Sequence, residues 1–106
     1  MNSNNFEKLK EKVLSSFKEK KFREVIIEGE KLLKDRQNDA QLLFILGLAS
    51  INLQNFVNAE NYFEKLILFK KSAENLYTLG NIQKKLKKFN SGPKLIKYKH
   101  GYKLLI

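Results

Sequence analysis

The chain has 106 residues, 42% of them hydrophobic, with no cysteine and a formal net charge of +10. That length allows one small domain, and the lack of cysteine excludes disulfides and thiolate metal sites. The longest apolar stretch, Leu42 to Ile51, is about half of a membrane span, and Met1 to Asn5 lacks the basic-then-apolar pattern of a secretion signal; a soluble cytoplasmic protein with no transmembrane segment is expected.

Apolar spacing predicts a first helix over residues 6–20, where Phe6, Leu9, Val13, Leu14 and Phe17 recur between Lys and Glu. Lys20-Lys21 makes a polar corner, and a second helix runs from Phe22 to Lys34. Asn38-Asp39 offers an N-cap to a third, Ala40 to Leu53. This third helix is apolar nearly all round and must be covered on two sides. Gln54-Asn55 makes the next corner, Phe56 to Phe69 form a fourth helix, and Ser72 caps a fifth from Ala73 to about Lys87.

Asn90-Ser91-Gly92-Pro93 then interrupts the pattern, since proline inside a helix costs about 3 kcal/mol or more. Two readings stay open beyond it. Leu95, Tyr98, Tyr102 and Leu105 share a helical stripe weakened by Gly101, while Ile96, Tyr98, Tyr102 and Leu104 around His100-Gly101 suit a small hairpin. The short helix is preferred.

Charge follows the same division. Residues 1–35 carry nine Lys/Arg and seven Asp/Glu, residues 36–83 four of each, and residues 84–106 eight lysines and no acid. A basic end attracts nucleic acid or anionic membrane. Against that, only Arg23 and Arg36 supply the bidentate fork that phosphate recognition favours. The accompanying wealth of Asn, Ile and Phe suggests that A/T-rich codons inflate the lysine count. Nucleic acid is therefore the weaker expectation.

The central feature is an internal repeat. Leu43-Phe44-Ile45-Leu46-Gly47, with Leu53 and Phe56, returns as Leu76-Tyr77-Thr78-Leu79-Gly80, with Leu86 and Phe89, and every matched pair keeps the same offset. A period of this size, close to about 34 residues, points to stacked helix-turn-helix units. Residues 40–72 resemble the tetratricopeptide repeat: Leu43 takes the bulky position, Leu46-Gly47 match, Phe56 opens the second helix, and Ala59-x3-Phe63 match. Ser50 replaces the usual aromatic, and Lys71-Ser72 stands where proline is common. The preceding unit aligns Phe22 with Phe56 and Leu32 with Leu66 but is degenerate, with Lys12-Val13 for Leu-Gly, Val25 for Ala59 and Gly29 for Phe63. The third unit begins well and should open its second helix at Phe89. The expected domain is 6–89, in units of about 6–39, 40–72 and an incomplete 73–89, followed by a basic tail over 90–106.

The resemblance implies an all-α fold: antiparallel helix-turn-helix repeats stacked as a short right-handed solenoid. It also implies a non-catalytic scaffold or adaptor, without a cofactor, that binds a peptide or protein in a concave groove lined by first helices. On that groove it places Lys10, Phe44, Leu48, Asn52, Tyr77, Asn81 and Lys84; Phe44 and Leu48 fit equally well as side chains packed between helices. The family's clamp for a peptide carboxylate is matched only by Lys10 among Lys10, Leu14, Ile45, Glu74 and Thr78, so that specificity does not carry over. Catalysis is not expected, because the lone His100 has no recognisable carboxylate or nucleophile partner and the acids alternate with lysines at helix-surface spacing. Two further expectations are self-association through the poorly covered third unit, and origin as a fragment of a longer array or of a transferase that follows such repeats.

Overall fold

The computed structural model describes residues 3–89, 94–98 and 101–105, with side chains from residue 4 to residue 87. Its body is all-helical: α1 (Ser3–Lys18), α2 (Phe22–Asp35), α3 (Ala40–Asn52), α4 (Phe56–Phe69) and α5 (Ala73–Phe89). Each helix packs on the one before it, and α1 also touches α3. The all-round apolarity of α3 follows from this placement, with Leu42, Leu43, Leu46 and Ala49 fully buried. Caps fix where the later helices begin. Asp39 accepts the Leu42 N–H at 3.0 Å, Asn55 accepts the Asn58 N–H at 3.3 Å, and the Ser72 hydroxyl accepts the Asn75 N–H at 3.1 Å.

The first two corners are copies of one another. Lys20 has φ 62° and Gln54, its counterpart in the next unit, has φ 60°. At the first corner Lys20 N–H donates to the Phe17 carbonyl at 3.0 Å and Lys21 N–H to Ser16 at 2.9 Å. At the second, Gln54 N–H donates to Ile51 at 2.9 Å and Asn55 N–H to Ser50 at 2.8 Å. Paired bonds of this pattern around a left-handed residue satisfy the last carbonyls of a helix and reverse the chain.

The third corner is not made. Lys87 and Lys88 fall where Gln54 and Asn55 would predict a turn, yet α5 continues to Phe89. Phe89, expected to open a second helix, is instead the last residue of α5. A left-handed residue with a side chain costs roughly 1–2 kcal/mol. The first two corners offset that cost by folding a helix back onto its partner. Beyond Phe89 the described residues contain no such helix. They form an antiparallel strand pair, β1 (Lys94–Tyr98) and β2 (Gly101–Leu105), with Tyr98 opposite Gly101 and Lys94 opposite Leu105. This replaces the preferred short helix with the alternative hairpin, and the alternation of Ile96, Tyr98, Tyr102 and Leu104 is its signature. His100 lies outside the described residues.

Candidate interaction surface

One contact organises the α3–α4 pair. A Cβ built on Gly47 would lie 2.4 Å from Phe63 Cε2, so the absence of a side chain is what lets the ring lie against the helix. Phe63 also meets the Phe44 ring edge-on, with centroids 5.8 Å apart. Phe44 and Gly47 thus hold Phe63 from two sides, and Phe63 is fully buried. Gly29 plays a different part: its missing Cβ makes room for Leu46 of α3, so the glycine in the degenerate unit serves packing onto the next unit.

The seven expected groove residues divide by environment. Lys10 donates to Asp39 at 3.0 Å, with side chains only 12% and 13% exposed, and is committed to the junction of α1 with α3. Phe44 and Leu48 are partly buried against the core. Asn52 is exposed, its amide donating to the Leu48 carbonyl at 2.9 Å. Tyr77 is 73% exposed, Asn81 is half-buried and Lys84 is exposed. Lys85 turns back over the Phe56 ring, 5.3 Å from its centroid. The accessible members therefore gather toward α5.

Four of the exposed large apolar side chains flank the α4–α5 connection: Leu68, 77% exposed, and Phe69, 52%, at the end of α4, and Leu76 and Tyr77 at the start of α5; Ile27, Leu53 and Val57 are exposed elsewhere. The groove pattern does not single out Leu68, Phe69 or Leu76. The signal for the first two is the run Leu66-Ile67-Leu68-Phe69: a helix buries one stripe, so four consecutive apolar residues cannot all face inward.

Two other places were candidates for chemistry or anion binding. A depression lined by Arg23, Ile26, Ile27, Ser50, Leu53, Asn55 and Asn58 mixes apolar side chains with amides and contains one charged group. Arg36 stacks 4.0 Å over the Phe6 ring and reaches Glu7 at 3.5 Å, a structural use of the guanidinium. Among the described residues no three His, Asp or Glu side chains are grouped to hold a metal ion, and no helix is long and apolar enough to cross a membrane. No protein-family model matches the chain, and a search of curated proteins finds no match.

Proposed function

We propose that the chain is a short array of the tetratricopeptide type, a right-handed solenoid that serves as a non-catalytic protein–protein interaction module. The observation that carries this reading is the backbone repeat: Lys20 and Gln54 lie one unit apart, adopt the same left-handed conformation and close the same pair of hydrogen bonds. The backbone repeat of 34 residues joins the first two units and lies within one residue of the 33-residue sequence repeat that joins the second and third, a spacing that suits stacked units. The partner engages the accessible residues Asn52, Tyr77, Asn81 and Lys84, where an aromatic face lies beside amides and a cation. Such a surface suits a peptide with an apolar anchor and negative charge.

The test is capture of a partner by immobilised full-length chain. Replacing Tyr77→Ala together with Asn81→Ala should reduce capture at least tenfold while helix content is unchanged. Equal capture by the folded double variant would remove this surface from consideration. The eight lysines of residues 84–106 support a second reading, electrostatic binding of nucleic acid or anionic lipid. That binding would fall steeply with rising salt, and its absence at low salt would dispose of it.

A further inference from the structure

We propose that Tyr77 and Gly80 form an open socket for an aromatic side chain carried on an acidic helix of a partner protein. This deepens the interaction-module reading and rests on it, by naming what sits at the α5 end of the surface.

The internal repeat supplies the template. On α3, the Phe44 ring and the bare backbone of Gly47 hold Phe63 of α4. On α5, Tyr77 and Gly80 repeat the aromatic and the glycine at the matching positions of the next unit. Around a Cβ built on Gly80, however, no atom of the described residues lies within 4 Å. Leu76 tells the same story: its counterpart Leu43 is fully buried, yet Leu76 is 42% exposed. Phe44 and Gly47 receive Phe63 on α3 and Leu43 beside them is enclosed, whereas the matching positions on α5 stand open among the described residues. A helix presenting an aromatic residue is the cover whose shape is already built.

Charge narrows the occupant. Gly80, Lys84 and Lys87 fall on one face of α5 by helical spacing, both lysines are exposed, and no acid follows Glu74 in the sequence. The chain's own tail and that of a second copy both bear Lys94, Lys97, Lys99 and Lys103, so like charge disfavours them. The α4 helix of a second copy is already engaged, with Phe63 buried in its own hairpin. A helix from another protein, with Asp or Glu beside its aromatic anchor, satisfies both the notch and the lysines.

A labelled peptide of residues 55–69 carrying Lys65→Glu serves as the probe, titrated with full-length chain by fluorescence anisotropy. Saturable binding is expected. It should weaken at least tenfold when the peptide carries Phe63→Ala. It should weaken similarly when the protein carries Gly80→Ala, a change that leaves its melting temperature undiminished. Lys84→Ala with Lys87→Ala should weaken binding and flatten its salt dependence. No saturable binding overturns the proposal. So does binding indifferent to Gly80→Ala, which would indicate exchange with the chain's own α4. Tenfold tighter binding after Leu95, Ile96, Leu104 and Leu105 are all replaced by Ser would seat the chain's own tail there, and overturns it too. Partner capture that falls with Asn81→Ala but ignores Gly80→Ala would retain the groove and eliminate the socket.

Discussion

Gly47 and Gly80 hold matching places in the repeat, and the same substitution acts on them in opposite directions. Alanine at Gly47 drives a methyl into the Phe63 ring at 2.4 Å. Both the ring and its surroundings are buried, so relief requires backbone movement. Overpacking of this kind costs roughly 1–3 kcal/mol, more than the roughly 0.5–1 kcal/mol gained by removing a helical glycine. Gly47→Ala therefore destabilises. Gly80→Ala meets no atom of the described residues and should stabilise by about 0.5–1 kcal/mol. Urea unfolding of the two variants checks both signs. A second residue-level prediction concerns Tyr62, whose hydroxyl donates to Glu30 and ties α4 to α2. Burial, and then this hydrogen bond to Glu30, hold the phenol well above its ordinary pKa of 10.0. The unfolded chain therefore releases this proton at lower pH than the folded one. The folded state binds more protons once pH exceeds about 10, so stability falls as pH rises beyond that point. Below it the contribution is complete. Tyr62→Phe leaves the Glu30 carboxylate without its donor and should cost about 1–2 kcal/mol near neutral pH. The gap between variant and wild type should close as pH climbs past about 10; a constant gap would separate Tyr62 from the alkaline loss of stability.

At the scale of elements, Asp39 shows how one side chain joins two helices. One carboxylate oxygen caps α3 through the Leu42 N–H, and the other takes the Lys10 ammonium from α1. Asp39→Asn keeps a capping oxygen and loses the ion pair, whereas Asp39→Ala loses both. Both variants leave the largely buried Lys10 ammonium without its carboxylate, so what separates them is the cap, whose removal typically costs about 1 kcal/mol. Asp39→Ala should thus be the more destabilised by about 1 kcal/mol, measured as a difference in urea midpoint at equal slope. The cap was legible in sequence and the ion pair was not, because capping is a contact across three residues and Lys10 lies 29 residues away. The same distinction runs through the fold. Helix limits such as Phe56–Phe69 follow from local apolar spacing and caps. The corners at Lys20-Lys21 and Gln54-Asn55 were legible as polar breaks, but their left-handed conformation had no marker, since neither Lys20 nor Gln54 is a glycine or asparagine. The missing third corner was hidden for another reason: whether a helix turns back depends on having a partner to pack against. In the candidate surface, periodicity gave Phe44 and Tyr77 equivalent places. Only packing shows that the first ring is used inside its hairpin and the second stands open.

Across the molecule, packing is a chain of neighbour contacts, so stability need not be uniform along it. α3 is wrapped by α1, α2 and α4, whereas α5 draws its packing from α4 and leaves Leu76 and Tyr77 exposed. The least costly opening is therefore loss of α5 with the other four helices in place. In that partly open state α2 still buries Val25, which is fully enclosed in the native protein. Val25→Ala then weakens the native and partly open states equally, and the free energy of opening α5 does not change. Global unfolding, which exposes α2, loses roughly 1.5–3 kcal/mol. Native-state hydrogen exchange distinguishes the two processes. Amides of Leu43 to Ala49 should exchange through global unfolding and lose protection in Val25→Ala. Amides of Gly80 to Leu86 should exchange through the smaller opening and keep theirs. Equal loss in both segments would mean that α5 unfolds only with the rest, and that the open end of the repeat is as firmly held as its centre.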